Sequence, residues 1–172
     1  MAGAILMSTP IMAINCIITI CIISVFMPVS PYMFGLEPGA FSLSINFFDI
    51  LALPAMVIVH ELMHLVLIPD FLRSDKTFAG ITYAGGYAYT EEVITRPRYL
   101  AISIAPFIAV SIILPIALGI AGMLTPAWIF LILLNSLGSS VDILSMALVI
   151  LQSPPGSSLI CNGMNTYWKK CN

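Results

Sequence analysis

Four long apolar stretches dominate the chain and limit what it can fold into. They cover about residues 4–27, 50–68, 99–120 and 126–151. Each is long enough for a helix of roughly 20 residues to cross a hydrocarbon core about 30 Å thick. Hydrophobic residues make up 60% of the 172 residues and charged residues 8%, a balance far from that of ordinary soluble domains. The sequence therefore predicts an all-α membrane protein with four transmembrane helices.

The basic residues indicate how these helices are oriented. All six lie in the loop after the second helix or in the C-terminal tail: Arg73, Lys76, Arg96, Arg98, Lys169 and Lys170. Because Lys and Arg are retained on the cytoplasmic side of membrane proteins, we predict that both termini are cytoplasmic. The first apolar stretch lacks the basic flank and the cleavage site of a secretory signal, so we expect it to remain as a helix.

The segments between the helices are short. In TFAGITYAGGYAYTEEV, residues 77–93, a glycine pair at 85–86 separates arms rich in threonine and tyrosine, which predicts a small cytoplasmic β-hairpin between helices 2 and 3. Its edge could receive an extended peptide as an added strand, or the ribbon could lie at the membrane interface with its tyrosines at headgroup level. Prolines in SPPGSS end the fourth helix, so we predict one membrane domain over 1–152 and a short cytoplasmic tail over 153–172.

Two kinds of partner or site are not favoured. No cluster of basic residues indicates nucleic acid binding, and the net charge is -2. Cys161 and Cys171 lie in the predicted tail, a reducing location where no disulfide is expected. They are ten residues apart with no histidine nearby, which is a weak pattern for a zinc site.

A cluster of ionisable residues interrupts the second apolar stretch, VIVHELMHLVLIP, residues 57–69. His60 and His64, the only histidines in the chain, would lie on one face of a helix, where both imidazoles can bind one Zn²⁺ at about 2.0 to 2.1 Å. Glu61 could then act as general base on a zinc-bound water. Ionisable side chains inside a membrane helix usually serve a function, which favours this interpretation over a structural histidine pair bonded to neighbouring hydroxyls.

The fourth helix offers a third metal ligand, which catalytic zinc sites commonly require. Within NSLGSSVDILSM, residues 135–146, small and polar residues recur on one face, and Asp142 lies deep in the span. With a rise of about 1.5 Å per residue, His60 and Asp142 each lie about 14 Å from the cytoplasmic ends of their helices, and His64 about 8 Å. We therefore predict Asp142 as the third ligand. The alternatives are two loop carboxylates and one at the far end of helix 2: Glu91, Glu92 and Asp49.

These residues resemble the pattern of a family of small prokaryotic membrane proteins grouped as "putative zincin peptidases". That pattern has H-E-x-x-H in the second of four helices, a glycine and aromatic-rich loop, R-Y before a proline-containing third helix, and N-x-x-G with a later aspartate in the fourth. The matching residues are His60, Glu61 and His64; Gly80 through Tyr89; Arg98, Tyr99 and Pro106; and Asn135, Gly138 and Asp142. The chain is also similar to the site-2 protease group, in which such a helix meets a later aspartate, although Asp142 lies in V-D-I and not in that group's L-D-G.

The motif and the resemblance together imply an intramembrane zinc metalloprotease of the prokaryotic cell membrane. We expect Zn²⁺ as cofactor on His60, His64 and Asp142, with Glu61 as the general base. Asn135 would donate to the oxyanion or to the substrate backbone, or else serve only in helix packing. The alternative function is a non-proteolytic zinc-binding regulatory protein or a small metal transporter. Expected partners are the lipid bilayer and a membrane protein or peptide substrate; the sequence indicates no oligomeric state.

A membrane-spanning substrate must be unwound before it can be cut, because its carbonyls are hydrogen-bonded within its own helix. Helix-breaking residues in the substrate, together with strand addition to the predicted hairpin, would meet that need. Pro106 and Pro115 in the third helix could loosen a gate there, or they could serve packing alone, since membrane helices tolerate proline.

Overall fold

Four apolar helical stretches form the body of the protein, as the sequence predicts. The computed structural model describes residues 2–41, 47–82, 85–162 and 165–170. The helices are α1 (Ala2–Ser24), α2 (Phe47–Leu67), a third stretch from Arg96 to Ile120, and a last helix over Pro126–Gln152. By length and composition all four could cross a membrane. Their ends differ from the predicted ones by only a few residues.

The third stretch changes its hydrogen-bonding pattern midway. It begins as α3 (Arg96–Pro106), continues as a π-helical segment (Phe107–Ile113), and ends as α4 (Leu114–Ile120). Pro106 stands at the first junction and Pro115 just past the second. Because proline has no N–H to donate, each proline interrupts the regular ladder. π-helical turns inside α-helices are uncommon and are frequently found at functional sites.

The last helix, α5 (Pro126–Gln152), is the element around which the others pack. It contacts α1, α2, α3 and the π-helical segment. Against α1 the interface is partly polar: the Asn15 side chain donates to the Ser136 carbonyl at 3.3 Å, and the Thr19 and Ser136 hydroxyls are 2.9 Å apart. Small and hydroxylated residues let helices approach closely where no hydrophobic force drives them together.

The predicted hairpin is present, but its glycines lie elsewhere than expected. Strands β3 (Thr77–Thr82) and β4 (Gly85–Thr90) pair antiparallel, and their connection at 83–84 lies outside the described residues. Gly85 and Gly86 therefore begin β4 and do not form the turn, which corrects the sequence interpretation. The reason is a close contact of Gly86 with α2, described below.

The remaining strands lie at the ends of the helices. A small ribbon of β1 (Leu36–Glu37) and β2 (Ala40–Phe41) follows α1 and a 3₁₀ turn. The C-terminal segment, predicted only as a tail, forms β6 (Ser157–Asn162) and β7 (Asn165–Lys170), which pair with β5 (Ile94–Thr95) in the order β5-β6-β7. An apolar cluster joins this sheet to the helix ends: Ile68, Ile94, Ile102, Val149 and Leu159.

Candidate metal centre

Helices α2 and α5 bring two histidines and one carboxylate together. His60 and His64 lie one turn apart on α2, with ring centroids 5.1 Å apart. Asp142 on α5 faces both rings: its Oδ2 is 3.2 Å from His60 Nε2, and its Oδ1 is 3.6 Å from His64 Nε2. The carboxylate therefore reaches both imidazoles with different oxygens. The three residues that the sequence predicts as ligands are adjacent, as the shared depth of the two helices requires.

The spacing of these atoms fits a zinc ion. One ligand atom from each residue lies within 4.8 Å of the others. In a tetrahedral zinc site with bonds of about 2.0 to 2.1 Å, neighbouring ligand atoms are about 3.4 Å apart, close to the 3.2 Å between His60 Nε2 and Asp142 Oδ2. Two imidazole nitrogens and one carboxylate oxygen are also a known donor set of catalytic zinc sites, which leave a fourth position for water or substrate.

Each imidazole is held by a hydrogen bond on the side away from Asp142. His64 Nδ1 is 2.9 Å from the Ile102 carbonyl oxygen, and His60 Nδ1 is 2.9 Å from the Asn135 side-chain oxygen. Both acceptors require a proton on Nδ1, which leaves Nε2 of each ring as the nitrogen that faces Asp142. Such second bonds are the usual way in which metal-binding histidines are oriented.

Glu61 lies beside this group but is not part of it. It is half-buried and close enough to interact electrostatically with His60, His64 and Asp142. Strand β4 passes directly over it: a Cβ built on Gly86 would be 2.4 Å from Glu61 Cγ and 2.6 Å from Glu61 Oε1. Only glycine permits this approach. The carboxylate is therefore enclosed between α2 and β4, next to the candidate ligands and free of them.

The alternative third ligands are not placed at this group. Glu91 and Glu92 follow β4, where the Ser74 hydroxyl donates to Glu92 Oε1 at 3.0 Å. Neither belongs to the ligand cluster found among the described residues. The side chain of Asp49 lies outside the described part of the structure, and its position on α2 is roughly 16 Å along the axis from His60.

The tail cysteines form no described site. Cys161 lies on β6 with its sulfur 3.7 Å from the Thr166 hydroxyl. Burial raises the pKa of this thiol, and the hydrogen bond to Thr166 partly opposes that rise. Cys171 lies outside the described residues.

Some functional groups of this site had no direct signal in the sequence. The Ile102 carbonyl holds His64, and the Pro106 carbonyl and the Ser111 hydroxyl, at 3.1 and 2.9 Å, accept hydrogen bonds from the Asn135 amide. Backbone carbonyls carry no residue signature. The available signal was the proline in the third helix, because proline leaves a carbonyl of the preceding turn without its helical partner.

A comparison with protein families agrees with this geometry. The family model described as "Putative zincin peptidase" matches residues 53–158, which is more than half of the chain and includes His60, Glu61, His64, Asn135 and Asp142. No curated protein and no solved structure matches the chain significantly. With its family model matched from α2 through the start of β6, the chain belongs to the "putative zincin peptidase" family.

Proposed function

We propose that this protein is an intramembrane zinc metallopeptidase of the H-E-x-x-H type, which hydrolyses peptide bonds in or near membrane-spanning segments. Membership of the zincin peptidase family supports a zinc metallopeptidase. The observation that carries the proposal is the cluster of His60, His64 and Asp142 with the Glu61 carboxylate beside it. A site that served only to bind metal would have no need of a further carboxylate next to the ligands.

The location of the cluster supports cleavage within the membrane. His60, His64 and Asp142 all lie inside helices that are long and apolar enough to span a bilayer. They are separated from the ends of α2 and α5 by one to three helical turns. A peptide bond that reaches these residues must therefore enter the depth of the membrane. The excess of basic residues in the 70–98 loop and in the tail supports a cytoplasmic side for the ends of α2 and α5 that lie nearer the cluster.

The proposed chemistry divides between the metal and the protein. When bound, Zn²⁺ supplies a Lewis acid that acidifies water and polarises a carbonyl. His60, His64 and Asp142 hold the ion, with both histidine rings already oriented by their Nδ1 hydrogen bonds. Glu61 accepts the proton of the attacking water and passes it to the leaving nitrogen. Because Glu61 is not needed as a ligand, its carboxylate can make both transfers.

Strand β4 supplies a place for an extended substrate. The Glu91 amide donates to the Lys76 carbonyl at 2.9 Å. Because hydrogen-bonded and non-hydrogen-bonded pairs alternate along an antiparallel ladder, the backbone groups of the odd-numbered residues of β4 bond to β3. The backbone groups of Gly86 and Ala88 therefore point away from β3, toward the outer edge of β4, the strand that contacts Glu61 through Gly86. A substrate segment unwound from its helix can pair with this edge as an added strand, which would satisfy its backbone groups inside the membrane.

The variant Glu61→Gln tests the proposal. Purified protein would be reconstituted into proteoliposomes with transmembrane peptides that carry glycine or proline at mid-span, and cleavage would be followed by mass spectrometry. We expect the variant to keep the wild-type zinc content while cleavage falls by about 10² to 10⁴-fold, the usual contribution of a general base. The control Asp142→Ala should lose both zinc and cleavage.

Two outcomes would contradict the proposal. Cleavage by Glu61→Gln at the wild-type rate would remove the general-base role. A wild-type protein that binds zinc stoichiometrically and cleaves none of the peptides would favour the rival function, a zinc-binding regulatory protein or a metal transporter, because that function needs His60 and His64 but no base.

A further inference from the structure

The orientation of His64 is set by the backbone of α3. Its Nδ1 lies 2.9 Å from the carbonyl oxygen of Ile102. A carbonyl oxygen can only accept, so Nδ1 must carry a proton, and Nε2 is the ring nitrogen that faces Asp142 and is left to bind a metal. Neutral imidazole in water prefers the opposite form, with the proton on Nε2. The Ile102 carbonyl therefore holds His64 in the form that can bind a metal through Nε2.

The orientation of His60 is set by the same helix, through Asn135. The Asn135 amide nitrogen is 3.1 Å from the Pro106 carbonyl oxygen. Because that oxygen can only accept, the NH₂ end of the side chain must face it, with the Ser111 hydroxyl at 2.9 Å as a second acceptor. The Asn135 oxygen then faces His60 Nδ1 at 2.9 Å. This ring nitrogen must donate, and Nε2 is again the nitrogen left for the metal.

The Ile102 carbonyl is available because residue 106 is a proline. In a regular α-helix the Ile102 oxygen would accept the N–H of residue 106, and proline has none. The next amide, that of Phe107, bonds instead to the Ile104 carbonyl. Neither amide occupies the Ile102 oxygen, and His64 takes the place of the missing helical donor. The π-helical segment begins at Phe107, immediately after the carbonyl that holds Asn135.

We propose that Pro106 is a positioning residue for the metal site, acting on both histidines. It leaves the Ile102 carbonyl free for His64, and its own carbonyl orients Asn135 and, through it, His60. This inference rests on the ligand set of the proposed function, but it concerns the two rings before any metal is bound. It also assigns a role to Asn135. Because its NH₂ group is already hydrogen-bonded to Pro106 and Ser111, Asn135 orients His60 and does not donate to the reacting oxygen.

The variant Pro106→Ala tests the proposal, because it restores an N–H that competes with His64 for the Ile102 carbonyl. Two measurements apply. Zinc affinity should fall by about 10 to 100-fold, the usual effect of losing an outer hydrogen bond of a metal ligand. In metal-free protein, ¹⁵N NMR of the rings should show His64 changing from the Nδ1–H form toward the Nε2–H form.

A matched control is Pro115→Ala, which restores an N–H in the same helical stretch. The carbonyl one turn before it is that of Ser111. Among the described residues, Ser111 makes no hydrogen bond to His60, His64 or Asp142; its hydroxyl bonds to Ile132 and Asn135. We expect wild-type zinc affinity and wild-type ring tautomers from this control. Asn135→Ala supplies a second test: it should change the tautomer of His60 and leave that of His64 as in wild type.

The outcomes separate this proposal from the proposed function. Unchanged zinc affinity and an unchanged His64 tautomer in Pro106→Ala would overturn the positioning role. Should that variant fail to fold, an unchanged His60 tautomer in Asn135→Ala would overturn it instead. If wild-type protein shows both rings in the Nδ1–H form but binds no zinc, the proposed function fails and the positioning role stands.

Discussion

Replacing Gly86 by alanine should disable catalysis while the metal site stays intact. The added Cβ would lie 2.4 Å from Cγ, 2.8 Å from Cδ and 2.6 Å from Oε1 of Glu61. Carbon atoms in contact are about 3.5 to 4.0 Å apart, so the overlap exceeds about 1 Å. Strand β4 is held by its pairing with β3, and the displacement therefore falls on the Glu61 side chain from Cγ outward.

The expected loss follows from that displacement. A misplacement of about 1 Å in a reacting group lowers the rate by about 10²-fold, so we expect Gly86→Ala to cleave peptides about 100-fold more slowly than wild type. Zinc content should be unchanged, because Glu61 is not among the candidate ligands. Combining Gly86→Ala with Glu61→Gln should lower the rate little beyond Glu61→Gln alone, since both changes act on the same carboxylate.

A control in the same hairpin is Gly80→Ala. A Cβ at Gly80 would be 2.7 Å from the hydroxyl oxygen of Tyr87, which is the end of a long side chain that is 40% exposed and can move aside. We expect nearly wild-type cleavage from this variant. Wild-type cleavage by Gly86→Ala, or a zinc content that falls in proportion to its activity, would contradict a displaced Glu61 carboxylate as the cause of the loss.

Two further variants test the substrate edge and the attachment of α3. Ala88→Pro removes an N–H that faces the outer edge of β4 and should raise KM about threefold to tenfold at constant zinc content. The control Ala79→Pro, whose N–H faces outward on the opposite edge of the hairpin, should leave KM unchanged. Equal KM values for the two variants would contradict strand addition. Arg98 Nε donates to the Leu67 carbonyl at 2.7 Å. Arg98→Ala should lower the Tm in detergent, by the equivalent of about 1 kcal/mol, and an unchanged Tm would show that this bond does not stabilise the end of α2.

The helices and the ligand cluster were predictable because both depend on fixed helical geometry. Runs of about 20 apolar residues indicate helices that span a bilayer. A constant rise per residue then places His60 and Asp142 at the same depth, with His64 one turn away, and the structure brings the three side chains within ligand distance of one another. In a membrane the direction of each helix is constrained by its neighbours, which removes most of the alternatives that a soluble chain would have.

The turn and the tail were harder to predict, because their structures depend on contacts distant in sequence. The glycine pair predicts a turn, yet Gly86 is required by its contact with Glu61 on another element. Strand β6 forms where Leu159 and Ser158 pair with β5, which follows the other hairpin. The tail sequence does not indicate that pairing. The partner strand β5 has only two residues, Ile94 and Thr95, and is too short to be recognised as a strand from the sequence.

The orientation of the histidine rings lay beyond sequence reasoning for a different reason. Their acceptors are a backbone carbonyl and an asparagine oxygen that is itself oriented by a backbone carbonyl. Every residue has a carbonyl, so residue types alone do not identify the ones in use. Pro106 indicates that the Ile102 carbonyl has lost its helical partner, but only the packing of α2 against α3 shows that His64 replaces it.

The site therefore depends on three helices, although only two of them carry ligands. Buried polar groups are stable only when they are hydrogen-bonded, and α3 supplies the carbonyls that hold His64 directly and His60 through Asn135 of α5. Its regular ladder would occupy the Ile102 carbonyl; the interruption at Pro106 leaves it open. It follows that metal affinity should respond to changes in the backbone hydrogen bonding of the third helix even where no ligand is touched, and that substituting ligands alone would not reveal this dependence.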